Sequence, residues 1–194
     1  QTTARRIAAG WRLGGKIWIH NAPVADFAVV LARTDPAAGK RGMSIFLVDA
    51  DRKGYRAGAK EHKMGQRASQ VGALTFDGVE LPAGALLGEE GRGFHMMMSV
   101  LDKGRIGIGA LAVGIVQAAL DASVDYARTR VQFGKPIADF QAVQWMLADM
   151  AKDIAAARAL VERAALLIDH EAPATSASSM AKCFASDMAV AQTA

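Results

Sequence analysis

The 194-residue sequence has a single cysteine, Cys183, and four scattered histidines. A lone cysteine cannot build a disulfide framework within the chain, so we expect a reducing compartment. No two histidines have the helical spacing of a zinc site, and we predict neither a structural nor a catalytic metal. Aromatic residues are few at 6%, whereas apolar residues make up 52%. This composition is typical of a globular, alanine-rich helical protein.

The sequence also lacks a long uninterrupted apolar run and a dense block of one charge. The best candidate for a membrane span, residues 106–120, contains glycines and Gln117, so we predict no span. The net charge of +4 comes from basic residues scattered before residue 83, without interleaved aromatics. Nucleic acid is therefore the least favoured partner. The N-terminal residues resemble no signal peptide and do not begin with Met, so we expect the sequence to start within a longer protein.

Up to residue 82 the sequence alternates short β-rich runs with turn signals. Strands are predicted at 11–13, 16–19, 27–32, 43–48 and 71–76. The pair Gly14-Gly15 is interpreted as the two-residue turn of a hairpin, because such a turn needs positive φ angles. Short strands without room for helices between them predict an antiparallel β-barrel or sandwich over residues 1–82.

After Pro82 the apolar residues recur at helical spacing. Helices are predicted at 91–130, at 138–168 and from Ala174 to the last residue, Ala194. The first helix is expected to be buried along one apolar stripe. This stripe consists of Phe94, Met97, Leu101, Ile108, Leu111, Ile115, Ala119 and Ala122. Residues 83–194 are thus predicted to form an incomplete antiparallel helical bundle, and the fold class is α+β.

Four glycines lie inside the first predicted helix, at positions 104, 107, 109 and 114. Each of them costs about 1 kcal/mol of helix stability relative to alanine. We therefore expect a neighbouring helix or a ligand to approach the backbone closely at these positions.

Asp102 and Arg105 are three residues apart on the same predicted helix, so their side chains share a face. The plain interpretation is an intrahelical ion pair. The glycine-rich surroundings favour a second interpretation, in which Arg105 donates to a phosphorylated ligand and Asp102 accepts from it, with room left at Gly104.

A polar corner follows the same helix. Arg130 could complement the negative end of the helix dipole, and position alone gives no preference over a ligand role. Its neighbours favour the ligand role, because Phe133 offers a flat ring, Gly134 allows the chain to turn and Gln141 can both donate and accept. Together these residues would suit the pyrophosphate region of a dinucleotide.

Two other features have ordinary interpretations. Trp18 is, on general grounds, a core residue, and the segment His20-Asn21-Ala22-Pro23 is an ordinary turn. The segment 88–93 is similar to a phosphate loop, but it lacks the Lys-Ser/Thr ending and contains two glutamates.

In order along the chain, six segments resemble the motifs of the acyl-CoA dehydrogenase family. They are GKIWIHN at 15–21, KMGQR at 63–67, VELP at 79–82, LGEEGRGF at 87–94, LDKGR at 101–105 and RVQFG at 130–134. The family has an N-terminal helical domain, a middle β-domain and a C-terminal four-helix domain. This sequence is similar to the middle domain and to part of the last one.

The resemblance implies a role for each candidate residue. Trp18, Ile19 and His20 would lie against the flavin of FAD. Asp102 and Arg105 would contact coenzyme A. The residues Arg130, Phe133 and Gln141 would reach the FAD of a neighbouring subunit, which implies a homo-oligomer such as a dimer of dimers.

The implied reaction is α,β-dehydrogenation of a short or branched acyl-CoA. A glutamate removes the α-proton while the β-hydride passes to the flavin, and electrons then go to electron-transferring flavoprotein. Two positions depart from the family pattern. His20 replaces the usual Thr near the flavin, and Gly104 occupies the position of the catalytic Glu of isovaleryl-type relatives, so we expect the base after Ala194.

Two other functions stay open. One is an acyl-CoA oxidase or flavin monooxygenase of the same fold, and the other is a non-catalytic binding or assembly fragment. The expected location is the bacterial cytoplasm or the mitochondrial matrix.

Overall fold

The computed structural model describes residues 2–194, except for the side chains of Lys16 and Ile17. The chain divides into two compact units, the first extending to Met98 and the second running from Ser99 to Ala194. The domain boundary predicted at residue 82 precedes this division by one short segment, residues 83–98.

The first unit contains a seven-stranded sheet. Its strands are β1 (Thr3–Ile7), β2 (Gly10–His20), β3 (Phe27–Arg33), β4 (Met43–Asp49), β5 (Tyr55–Ala57), β6 (Val71–Pro82) and β7 (Leu86–Leu87). Their order across the sheet is β5-β6-β2-β1-β3-β4-β7. All neighbours are antiparallel except β1 and β3, which run parallel and pair through Thr3 and Arg33. The α+β class is confirmed, and the sheet is mixed rather than purely antiparallel.

The hairpin predicted at Gly14-Gly15 is wrong. Gly10–His20 is one continuous strand that pairs with β6 along its whole length, and the register shifts between Leu13 and Gly14. Leu13 pairs with Val79 and Gly14 with Asp77, so the extra residue of this β-bulge is Gly78 on β6, which has a φ of 64°. Gly15 has a φ of 139° within the paired strand and forms no turn. The observed hairpin joins β1 to β2 and turns between Ile7 and Gly10.

The core of the first unit is formed by alternate residues of these strands. Large side chains with almost no exposure include Trp11, Leu13, Val30, Phe46, Val48, Leu74, Phe76, Val79 and Leu81. Trp11 and Phe46 meet edge to face, with ring centroids 5.1 Å apart. This apolar interior holds the long strand β2 in place, and β2 ends at the Trp18-Ile19-His20 segment.

The second unit contains most of a long first helix and two further helices. The three helices are α1 (Gly93–Thr129), α2 (Gln141–Asp169) and α3 (Thr175–Thr193). Between α1 and α2 lies a small hairpin of β8 (Val131–Gln132) and β9 (Lys135–Pro136). Apolar side chains from all three helices form one buried cluster. Its members include Ala112, Val113, Val116, Met150, Ile154, Ala157, Ala185 and Met188.

The buried stripe predicted for α1 is wrong in its position. Leu101, Ile108, Leu111 and Ile115 are 42–50% exposed, whereas the buried face of α1 contains Ala112, Val113 and Val116. The reason is that α1 is apolar on several faces, and α2 and α3 cover only one of them. By length and composition alone, this helix is long and apolar enough to cross a membrane. Core helices of globular proteins meet the same criteria, so this is weak evidence for a span.

The helical glycines of α1 fall into two groups. A Cβ at Gly109 would lie 3.0 Å from Val161 Cγ2 and 3.6 Å from the Ala181 carbonyl oxygen. The close approach of neighbouring helices is therefore confirmed at this position. Among the residues that the structure describes, no atom beyond the nearby backbone of α1 and the adjacent residues would lie within 4 Å of a Cβ at Gly104, Gly107 or Gly114.

The segment 88–93, which leads into α1, attaches the start of this helix to strand β4. The Gly91 N–H donates to Ser44 Oγ at 2.9 Å, and Ser44 Oγ also pairs with Thr34 Oγ1 at 2.9 Å. A Cβ at Gly93 would lie 2.7 Å from Ser44 Cα and from the Ser44 carbonyl carbon. This segment, which is similar to a phosphate loop, thus has a structural role in the described chain.

The substitution Gly93→Ala is expected to lower the free energy of unfolding by about 1–3 kcal/mol, because the added methyl group meets backbone that cannot move aside. Gly84→Ala is the matched control, since no described atom apart from those of the adjacent residues lies within 4 Å of its Cβ position. Denaturant unfolding of the two variants and the wild-type protein measures the difference. Equal midpoints for the two variants would contradict the close packing of Gly93 on Ser44.

Candidate ligand-binding sites

Asp102 and Arg105 form the ion pair that their spacing predicts. Arg105 Nη1 donates to Asp102 Oδ1 at 2.5 Å, and the two side chains are 33% and 21% exposed, respectively. The second carboxylate oxygen of Asp102 accepts a hydrogen bond of 2.6 Å from Thr175 Oγ1. Since Thr175 is the first residue of α3, Asp102 connects α1 to the beginning of α3.

The surroundings of this pair leave Arg105 able to bind an anion. Within the described residues, the Arg105 guanidinium has no hydrogen-bond acceptor other than Asp102. A guanidinium carries five N–H donors, so most of them stay available. The neighbouring Gly104 and Gly107 are open on their outer side. The arrangement therefore supports both interpretations of the sequence at once, an ion pair and a partly exposed phosphate-binding guanidinium.

Thr175 was not identified from the sequence. The only local signal is that a hydroxyl residue follows Pro173 and Ala174 at the start of a predicted helix, which indicates a cap more than a contact with α1. The structure shows no side-chain cap at this helix start. Thr175 Oγ1 is directed to Asp102 instead.

The corner between α1 and α2 has a strained aromatic residue at its tip. Phe133 and Gly134 form the two-residue turn of the β8–β9 hairpin, with φ values of 50° and 80°. Two positive φ angles match a type I′ turn, in which Asn-Gly is the favoured pair. A bulky residue in the left-handed region costs about 1–3 kcal/mol. Even so, the Phe133 ring is 92% exposed, and its ring contact is an edge contact with Phe140 at 6.1 Å.

Arg130 and Gln141 flank this turn. Arg130 is exposed just after α1, and its backbone bonds to Tyr126 and Ile137 fix the corner. Its guanidinium makes no ion pair with any residue that the structure describes. Gln141 is the exposed first residue of α2. The structure therefore brings a guanidinium, an aromatic ring and an amide to one helical corner, as the sequence predicts.

At the end of β2, the structure differs from the general expectation for tryptophan. Trp18 is 60% exposed and Ile19 is 38% exposed, so the interpretation of Trp18 as a core residue is wrong. Both lie opposite β6, where Trp18 pairs with Ala73 and Ile19 with Gly72. Exposed large apolar side chains at one strand end are typical of a binding surface.

His20 borders a cleft of about 230 Å³ next to this strand end. Apart from His20, the side chains lining the cleft are apolar. They are Ile19, Ala22, Ala25, Phe27, Ala28, Val29 and Leu74. Among the side chains that line this cleft, the His20 imidazole is the one that can donate or accept a hydrogen bond, and it is exposed. The structure thus places a polar group beside an apolar surface, which suits a flat ring with polar edges.

Comparison with known proteins assigns both parts of the chain to the same family. The description of the acyl-CoA dehydrogenase middle domain matches residues 1–79. That of the acyl-CoA dehydrogenase C-terminal domain matches residues 91–194.

Individual relatives agree with these matches. The chain is 47% identical to the mitochondrial short-chain specific acyl-CoA dehydrogenase of Bos taurus, over 99% of this chain and 47% of that protein. It is 44% identical to the caffeyl-CoA reductase-Etf complex subunit CarC of Acetobacterium woodii, over 90% of this chain and 46% of that protein. The structure superimposes on butyryl-CoA dehydrogenase from Megasphaera elsdenii with a TM-score of 0.96 and 44% identity, covering 100% of this chain and 51% of that one. The chain thus spans about half the length of the curated relatives it matches.

Proposed function

Because this chain belongs to the acyl-CoA dehydrogenase family, we propose that the whole protein is an FAD-dependent acyl-CoA dehydrogenase. Its substrate would be a short or branched acyl-CoA thioester, into which it introduces an α,β double bond. The observation that supports this most is the Asp102–Arg105 pair. It is partly buried, lies beside an open glycine surface and leaves guanidinium donors available for a phosphate.

The residues of this chain would mainly bind and orient the two ligands. Arg105 donates to a phosphate of coenzyme A, and Asp102 holds the guanidinium in place through the hydrogen bond that it accepts. Trp18 would present an apolar ring that keeps water from the flavin face, and Ile19, on the other side of strand β2, would line the neighbouring cleft. His20 offers a hydrogen bond at the edge of that cleft. FAD, when bound, supplies the hydride acceptor.

The corner residues fit the adenine dinucleotide of a neighbouring subunit. Phe133 is exposed although its backbone has a strained, positive φ. Arg130 forms no ion pair with any residue in the described part of the chain. A partner bearing phosphates and a flat base would use both groups. We therefore propose a homo-oligomer in which each FAD contacts Arg130, Phe133 and Gln141 of another copy.

We propose that the catalytic base does not belong to the 194 residues of this sequence. Position 104, which would face the substrate from α1, is glycine and has no group that can take a proton. The proposal therefore places the glutamate base in a segment of the whole protein beyond the 194 residues.

Electron-transferring flavoprotein is the proposed electron acceptor. The 44% identity to a subunit of a caffeyl-CoA reductase-Etf complex supports this choice. The proposed location is the bacterial cytoplasm or the mitochondrial matrix, where acyl-CoA thioesters and a reducing environment occur together.

Anaerobic addition of butyryl-CoA or isobutyryl-CoA to the full-length, FAD-bound protein is expected to bleach the oxidised flavin absorbance. The absorbance spectrum before and after addition is the measurement. Acetyl-CoA is the control, because its acyl group has no β-carbon from which a hydride could leave. No bleaching with any acyl-CoA would contradict the proposed function. Rapid reoxidation of the reduced flavin by air would instead indicate an oxidase or a monooxygenase.

A further inference from the structure

The carboxylate of Asp102 has two protein partners on different helices. Oδ1 accepts from Arg105 on the same helix, and Oδ2 accepts from Thr175 Oγ1 on α3. Thr175 is separated from Asp102 by 73 positions in the sequence. The contact therefore exists only because α3 packs against α1.

The hydrogen bond from Thr175 restricts the orientation of Asp102. A carboxylate with one partner can rotate about its side-chain bonds, whereas a carboxylate bonded through both oxygens is held in one arrangement. Arg105 has a long side chain with several rotatable bonds, and its one described hydrogen bond goes to this carboxylate. Fixing Asp102 thus also fixes the direction of the remaining guanidinium donors.

We propose that Thr175 is a positioning residue for coenzyme A recognition. Through Asp102, it holds Arg105 in the orientation that meets a phosphate group of the acyl carrier. This inference rests on the proposed function of the Asp102–Arg105 pair. It adds a residue on a different helix that does not itself contact the ligand.

The other role that the geometry allows for Thr175 is to attach the start of α3 to α1. An attachment of this kind would affect stability and would act equally on every substrate. A positioning role would act on the part of the substrate that Arg105 binds. The two roles therefore differ in their dependence on the nucleotide part of the thioester.

The test compares Thr175→Val with Thr175→Ser in the full-length FAD-bound protein. Valine matches the shape of threonine without the hydroxyl, and serine keeps the hydroxyl. Thr193→Val is the control, because Thr193 Oγ1 donates within its own helix to the Ala189 carbonyl oxygen. Each variant is assayed with butyryl-CoA and with S-butyryl-N-acetylcysteamine, a truncated thioester without phosphates.

For Thr175→Val we expect KM for butyryl-CoA to rise about tenfold, the factor that corresponds to about 1.4 kcal/mol. We expect kcat for both thioesters and KM for the truncated one to stay unchanged. This pattern indicates lost binding to the carrier and intact chemistry. Thr175→Ser should restore most of the affinity. In an Arg105→Met background, Thr175→Val should add no further rise, because both changes affect the same contact.

Three results would overturn the positioning role: an unchanged KM for butyryl-CoA, an equal rise for both thioesters, or no rescue by serine. Thr175→Ala replaces the valine variant if the latter does not fold, and melting temperatures identify a purely structural effect. A wild-type protein whose flavin neither thioester reduces would contradict the proposed function itself. That result is distinct from the other three.

Discussion

Replacing Arg105 by methionine is expected to raise KM for butyryl-CoA by about a hundredfold, while the truncated thioester is used as before. Methionine keeps much of the apolar stem and removes the guanidinium. Charge-assisted hydrogen bonds are worth about 1.5–3 kcal/mol each, and the lower KM of the wild-type enzyme would depend on more than one of them. Steady-state kinetics with both thioesters provides the measurement.

Arg163→Met is the matched control for this prediction. Arg163 is exposed on α2, and its guanidinium has no ion-pair partner within the part of the chain that the structure describes. A similar rise in KM for both variants would show that the effect is a general loss of positive charge. An unchanged KM for Arg105→Met would remove Arg105 from coenzyme A recognition, and with it the main support for the proposed function.

The helices could be predicted well because their signal is local. The apolar spacing predicts a first helix at 91–130, and the structure has Gly93–Thr129. A third helix from Ala174 is observed as Thr175–Thr193. Pro173 and the loop glycines mark these ends within a few residues of the chain, so no distant contact is needed to locate them.

The strand β2 could not be assigned in this way. A Gly-Gly pair suits the positive φ angles of a tight turn, but glycine is also found inside strands opposite a β-bulge. What decides between them is the pairing of Gly10–His20 with Val71–Pro82, which is distant in sequence. The local pattern therefore predicts the positive φ of Gly15, but it predicts neither the φ of Gly14 nor the topology.

The buried face of α1 shows a related limit. When a helix is apolar on several faces, periodicity cannot indicate which face a neighbour covers. Small residues decide this here, because Gly109 and Ala112 allow α2 and α3 to approach closely. The larger residues Leu101 and Ile108 stay exposed in the described chain.

The candidate site residues also differ in whether their signal in the sequence is local or depends on a distant contact. The Asp102–Arg105 ion pair follows from their spacing, and the polar corner at Arg130 follows from its turn residues. Thr175 could not be found, because its partner is 73 positions away. The ligands of these groups are assigned by resemblance to a family, since the spacing of Asp102 and Arg105 alone favours an ion pair.

The substitution Phe133→Asn is expected to change stability and FAD binding in opposite directions. Asparagine tolerates the left-handed region, and Asn-Gly is the favoured pair in a type I′ turn, so relief of strain should stabilise the apoprotein. Loss of the edge contact with Phe140 offsets part of this gain, and it is small because the ring is 92% exposed. We expect a net increase in unfolding free energy of about 0.5–1 kcal/mol, within the range that strain relief allows.

In the Phe133→Asn variant, the affinity for FAD should fall by about ten- to a hundredfold, because stacking of a base on an aromatic ring is worth about 1–3 kcal/mol. Titration of the apoprotein with FAD and denaturant unfolding measure the two quantities separately. Phe133→Tyr is the control, since it keeps the ring and the strained backbone and should change neither value much. If Phe133→Asn bound FAD as tightly as the wild-type protein, the strained turn would have no role in cofactor binding. A loss of stability would show instead that the edge contact with Phe140 outweighs the strain at the turn.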